Sequence, residues 1–262
     1  MSETGLAPAW TALRSAGRKA LIPYLTAGYP SPAASAAALR SAAEVADIVE
    51  VGVPFSDPLA DGPTIQRSTF EALRQGMTLA GTLELVARAE LSRPVVIFSY
   101  LNPILQFGVE RFLRRSESLG IAGLLLTDLP AGSDPAVESA VQASGLDLIR
   151  LVAPTTGSER LAVTLKGAQG FVYLVARLGV TGARASLDAE LKDSVARVRK
   201  VTTLPLAVGF GISTPAQARA VARMADGVVV GSALVEILGR DGVGAARSFL
   251  DSLRDALDGE GT

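Results

Sequence analysis

Residues 47–63 read Asp47-Ile-Val-Glu-Val-Gly-Val-Pro-Phe-Ser-Asp-Pro-Leu-Ala-Asp-Gly-Pro63, and the stretch changes character at Pro54. Its first seven residues alternate as a strand does. Side chains along a strand point to opposite faces in turn, so Val49, Val51 and Val53 share one face and Ile48, Glu50 and Gly52 the other. An all-valine face suits packing beneath a layer of helices, which sends Glu50 to the opposite side of the sheet. From Pro54 onward the chain is a loop. Pro54, Pro58 and Pro63 restrict its backbone, so its side chains are held in place with less entropy lost.

The same alternation recurs on both sides of this stretch. Short β-branched runs at residues 20–26, 94–101, 123–128, 147–153, 171–177, 205–210 and 227–230 join 47–53 to make eight candidate strands. Segments of helical period follow them at residues 32–45, 82–91, 110–119, 134–143, 158–166, 187–201, 215–223 and 245–257, and 63–76 also reads as helical. In the last segment Phe249, Leu250, Leu253 and Leu257 form an apolar stripe suited to packing on a sheet. Strand and helix in regular alternation is the pattern of a parallel sheet in an α/β protein. Eight evenly spread repeats in 262 residues fit a closed (β/α)8 TIM barrel better than an open doubly wound sheet. No linker, charge block or low-complexity run divides residues 1–262, so one domain is expected. In such a barrel the loops after the strands form the catalytic face. The longest connection is residues 54–62 with the helix-like 63–76, either a functional loop or a plain insertion.

Composition removes several classes of function. Hydrophobic residues make up 48% of the chain and charged residues 19%, which excludes a disordered or coiled-coil protein. A net charge of −1 offers no electrostatic footprint for nucleic acid or an anionic membrane. No apolar run reaches the ~18–20 residues of a membrane span, and the first ten residues lack a signal peptide's pattern, so a cytoplasmic address is expected. The chain has no His and no Cys. That excludes a Ser-His-Asp triad, a thiolate nucleophile and an ordinary zinc or iron–sulfur site, and leaves proton transfer to Asp, Glu, Tyr or Lys. No metal and no cofactor are expected on this chain. None of its only lysines, Lys19, Lys166, Lys192 and Lys200, ends a strand, which argues against a Schiff-base aldolase.

Carboxylates remain. Glu50 is expected inside the barrel near its C-terminal end, where an unpaired carboxylate takes up a proton or finds a partner. It is therefore either an acid/base group or the partner of a neighbouring arginine such as Arg150. Asp61 is either held over the barrel mouth or caps the helix that Pro63 begins. Asp57 is either a turn residue or a surface contact. Tyr24, Tyr100 and Tyr173 fall near the ends of the first, third and sixth strands, where rings either line a pocket for a flat apolar substrate or fill the core. Glycines at residues 179–182, 209–213 and 231–233 end the last three strands. Glycine lets main-chain N–H groups approach an anion closely, and loops after strands seven and eight often bind phosphate, so a phosphate site is expected there.

The stretch from Val49 to Pro63 closely resembles the signature of the tryptophan synthase alpha subunit family, with both acidic positions at the family's spacing. Thr26-Ala-Gly-Tyr-Pro30, Tyr100-Leu-Asn-Pro103, Asp128-Leu-Pro130, Gly179-Val-Thr-Gly182, Gly209-Phe-Gly-Ile212 and Gly231-Ser232 support the resemblance in family order. It implies retro-aldol cleavage of indole-3-glycerol phosphate to indole and glyceraldehyde 3-phosphate in tryptophan biosynthesis. By matching position, Glu50 would be the acid/base and Asp61 would bind the indole N–H. Tyr24, Tyr100 and Tyr173 would line the substrate site, with Tyr173 bordering the reacting end. Thr181, Gly182, Gly211, Gly231 and Ser232 would serve the phosphate end. The resemblance also implies a partner, a pyridoxal-phosphate (PLP) β subunit in an α2β2 assembly, with PLP on that subunit alone. Residues 54–60 and 102–107 carry Phe55, Leu59, Ile104, Leu105 and Phe107, an apolar share high for solvent-facing loops. Phe55, Asp57, Pro58, Ile104 and Phe107 are the expected partner contacts, the alternative being a lid folded over the pocket. The chain departs from the family at Ala176 and Leu178, where members often carry hydroxyl residues, which bears on closure of that loop. A paralogue that releases free indole, another phosphate-binding barrel isomerase or epimerase, and a non-enzymatic regulatory subunit are the competing readings.

Overall fold

Eight strands, β1 (Ala20–Thr26), β2 (Val49–Gly52), β3 (Val95–Ser99), β4 (Gly123–Leu126), β5 (Asp147–Val152), β6 (Val172–Val175), β7 (Leu206–Gly209) and β8 (Gly227–Val230), pair in chain order. All pairs are parallel, and β8 returns to β1 with Ala20 opposite Gly227, so the sheet closes. The computed structural model describes residues 5–175, 184–209 and 211–259. The helices among them are α1 (Ala7–Ser15), α2 (Pro32–Ala43), α3 (Pro63–Arg74), α4 (Leu79–Ala89), α5 (Leu101–Phe107), α6 (Val109–Ser118), α7 (Pro135–Ala143), α8 (Ser158–Thr164), α9 (Arg184–Arg199), α10 (Pro215–Ala222) and α11 (Ser232–Asp258). This is the (β/α)8 TIM barrel that the alternation of strand and helix patterns implies.

Local chemistry explains where the helices begin. Ser31, Asp134 and Thr214 each precede a proline and accept a hydrogen bond from the N–H three residues on, and Thr214 and Gln217 complete a capping box. Three helical regions differ from the sequence expectation. α1 comes from a segment with no expected element. α5 occupies residues expected as a loop, because Pro103 sits in its first turn, where no helical hydrogen bond is lost. α11 begins at Ser232 rather than 245 and is broken at Gly242, whose φ of 82° is a left-handed conformation that glycine supplies.

The lower barrel interior is filled by side chains from α1 and the strands. Leu6, Trp10 and Leu13, around α1, pack with Ile22, Ile48, Val96, Leu125, Ile149 and Phe171 as one apolar cluster. Trp10 lies 5.6 Å from the Phe171 ring, and the Leu6 N–H donates to Asp147 at 2.7 Å. Burial of each large side chain contributes about 1.5–3 kcal/mol, so α1 works as a plug in the N-terminal mouth. Beside it Asp47 accepts from Arg254 at 2.9 Å and from the Leu21 N–H at 2.9 Å, which fastens the end of α11 beneath β1 and β2. The residues expected to carry chemistry lie at the opposite, C-terminal mouth.

Candidate active site

Glu50 lies on β2 opposite Tyr24 of β1 and Val96 of β3. It is fully buried, and neither carboxylate oxygen has a hydrogen-bond partner among the described residues. Burial without a partner penalises the charged form, and the carboxyl is pushed up to about 8. The alternative of an ion pair with Arg150 is overturned. Arg150 points away from the interior and pairs with Glu138 of α7, while its neighbours Ile149 and Leu151 on β5 face inward.

Tyrosines surround this carboxyl. Tyr24 and Tyr173 are buried, and the phenol of each is raised by burial first and also by the charge of Glu50. Phe98 of β3 meets Tyr24 edge-on at 5.2 Å. Two strand glycines make room for the rings. A Cβ on Gly52 would lie 2.0 Å from the Tyr24 hydroxyl, and one on Gly209 would lie 2.3 Å from that of Tyr173. Only hydrogen at these positions allows the phenols to stand where they do.

Asp61 sits one residue before Gly62, which occupies the cap position of α3, so the reading of Asp61 as that cap is corrected. Its main chain is tied instead, with its N–H on the Pro58 carbonyl at 3.1 Å and its carbonyl accepting from Gln66 at 2.9 Å. Desolvation raises its carboxyl to about 6 against the lowering effect of the nearby Tyr100 hydroxyl. Tyr100, at the start of α5, accepts from the Ala60 N–H at 2.9 Å. Phe55 packs on the Tyr100 ring at 5.0 Å. The loop after β2 is thus anchored to the end of β3 by one phenol.

At the other side of the mouth, Gly211 follows β7 with a φ of 79°, and Gly231 occupies the cap position of α11 with Ser232 as its first residue. An anion seated there would meet the main-chain N–H groups and positive end of a helix dipole. Thr181, Gly182, Ala176 and Leu178 lie outside the described residues.

The loop residues divide. Asp57 is exposed and accepts from Ser56, Pro58 and Phe55 are partly covered, and Leu59 is 92% exposed. Ile104 is corrected from an exposed contact to a core residue at 1% exposure, because α5 turns it inward. Phe107 is half-buried under Arg111, whose guanidinium lies 4.5 Å from its ring. Phe98 stands at the site although the sequence expectation does not name it. Alternation along β3, continuing Val96 to Phe98 to Tyr100, is the signal that reaches it.

A family model described as tryptophan synthase alpha chain matches residues 10–254. This chain belongs to that family. It is 43% identical over 262 residues to the tryptophan synthase alpha chain of Picosynechococcus sp., covering 97% of this chain and 99% of that one. It is 50% identical over 228 residues to that of Carboxydothermus hydrogenoformans, covering 86% and 85%. Its fold superposes with a TM-score of 0.89 on a chain of Mycobacterium tuberculosis tryptophan synthase, at 40% identity over 98% of this chain and 99% of the other. The tryptophan synthase subunit alpha of Legionella pneumophila superposes equally, with a TM-score of 0.89 at 34% identity over 98% and 99%. The family's enzymes are lyases that cleave indole-3-glycerol phosphate in tryptophan biosynthesis, and so is this one. Among the described residues no helix is long and apolar enough to cross a membrane.

Proposed function

We propose that Glu50 and Asp61 divide the cleavage of indole-3-glycerol phosphate into a proton shuttle and a charge clamp. The observation that carries this reading is the buried, partnerless carboxyl of Glu50, raised to about 8 so that it holds its proton at neutral pH. Glu50 delivers that proton to the indole carbon bearing the side chain. Asp61, raised only to about 6 and so ionised at neutral pH, accepts the indole N–H and stabilises the cationic ring. The Glu50 carboxylate then takes the proton of the adjacent side-chain hydroxyl. The carbon–carbon bond breaks, its electron pair restores the aromatic ring, and glyceraldehyde 3-phosphate leaves as the aldehyde. Glu50 ends the cycle protonated, as it began. Tyr24 and Tyr173 border the ring, and Gly211, Gly231 and Ser232 receive the phosphate, with Thr181 and Gly182 assigned to the same end by their family motif.

Indole passes to a PLP-dependent β subunit that binds the face carrying Phe55, Asp57, Pro58, Leu59 and the exposed side of α5, in an α2β2 assembly. The 92% exposure of Leu59 on this face supports that reading. Replacing Glu50 by Gln keeps the shape and removes the proton. Indole formation is expected to fall by the ~10²–10⁴-fold that general acid–base catalysis supplies, with substrate binding partly kept. A variant that retains more than about a tenth of wild-type turnover makes Glu50 a structural residue.

A further inference from the structure

Beneath the turn between β4 and α7 lies an ion pair that the cleavage does not use. Arg150 of β5 is 4% exposed and Glu138 of α7 is 9% exposed, with Nη2 donating to Oε2. Taking both charges out of water costs several kcal/mol per ion unless further hydrogen bonds offset it, so the additional partners are informative. Arg150 Nη1 donates to the Leu129 carbonyl at 3.0 Å, and the Gly132 N–H donates to Glu138 Oε1 at 2.6 Å. The pair therefore grips the turn on both sides. The same turn starts at Thr127, whose N–H donates to the Ser99 carbonyl at 3.0 Å, and at Asp128, which accepts from the Leu101 N–H at 2.7 Å, so it is tied to the chain on both sides of Tyr100. The Tyr100 hydroxyl in turn accepts from the Ala60 N–H at 2.9 Å, next to Asp61 in the chain.

We propose that Arg150 and Glu138 are a positioning pair that, by fixing residues 127–132, sets the Tyr100 hydroxyl against Asp61. This rests on the reading of Asp61 given above. Among the described residues the titratable groups facing Asp61 are Tyr100 and, across the mouth, Tyr24. Tyr24 is left unsubstituted in every variant below. Tyr100 lowers the Asp61 carboxyl, so loosening that contact raises it.

The test is the acidic limb of kcat/KM for indole release in three variants of the full chain. Glu138→Leu with Arg150→Met removes both charges together, so that neither is stranded in the core. Tyr100→Phe removes the hydroxyl itself, and the third variant combines all three changes. The acidic limb is expected near 6 in the wild type and higher by up to about one unit in the first two variants, with no further rise in the third. Asp47→Asn with Arg254→Met breaks the comparable buried pair at the opposite mouth. It is expected to lower the melting temperature without moving the limb. Should the double replacement of Glu138 and Arg150 fail to fold, Arg150→Lys keeps the charge and loses the fork, and a smaller rise is expected. An unmoved limb in the folded variants, or shifts that add in the combined one, overturns the proposal. A wild type with no acidic limb at all overturns the reading of Asp61 beneath it.

Discussion

Glu50 places a carboxyl among phenols and aliphatic side chains, and the fold gives it no hydrogen bond among the described residues. Its carboxyl stands near 8 in the folded protein against 4.5 as the ordinary value. Between those two pH values the folded chain binds more protons than the unfolded one, so stability is full at low pH and falls as pH rises towards 8. Gln carries no such burden. The melting temperature of Glu50→Gln relative to wild type is therefore expected to climb between about pH 5 and about pH 8, at about 2–4 °C per kcal/mol for a chain of this size. A difference that stays constant across that range contradicts the buried, proton-holding carboxyl. The inward face of β2 was legible because valines mark the opposite face without ambiguity. The facing of Arg150 was not, because Leu148, Ile149, Leu151 and Val152 make both faces of β5 aliphatic. Only the closed barrel decides which parity points inward.

Elements that carry the site begin where strands end, and the start of α11 is one of those the sequence pattern does not reveal. The helix expected at residues 245–257 was recognised by its apolar stripe, whereas Ser232 to Asp241 is a shorter piece before the Gly242 break. That piece aims its N-terminus at the mouth beside Gly231. A Cβ on Gly231 would come no closer than 3.5 Å to Tyr24, an ordinary contact, so Gly231→Ala has room within the fold. A methyl group there crowds an anion seated on the helix. Calorimetric titration with glycerol phosphate is expected to show affinity lower by about tenfold, or ~1.4 kcal/mol, in a variant that still melts cooperatively. Unchanged affinity moves the phosphate elsewhere. The plug helix α1 was equally missed, although Leu6, Trp10 and Leu13 already stand at the spacing of one helical face. Three apolar positions in a short terminal segment are a weak periodic signal until a partner, here Phe171 and the lower barrel, is known to exist.

At the scale of the whole molecule, the barrel closes one mouth with α1 and exposes apolar loop surface at the other. Among the described residues Leu59 projects from that face 92% exposed, whereas Ile104, expected beside it, belongs to the core. The patch is therefore narrower than the sequence implied, and it centres on residues 55–59 and the outer side of α5. Leu59→Asp is expected to weaken sedimentation as a complex with a cognate β subunit while leaving the isolated chain folded. If the partner orders these loops, wild-type turnover of indole-3-glycerol phosphate rises on mixing, since Asp61 follows the same loop. No complex together with unchanged turnover identifies a stand-alone indole-releasing enzyme.

The division of labour between two carboxyls can be read from the intact enzyme without a substitution. The pH profile of kcat/KM reports the essential acid and base of the free enzyme. Asp61 must be ionised, so the rate is expected to fall below about 6, and Glu50 must hold its proton, so it is expected to fall again above about 8. A bell between those limbs for indole release from indole-3-glycerol phosphate is the expected result. A rate still rising through pH 9 would mean that Glu50 enters the reaction ionised, and would contradict the account.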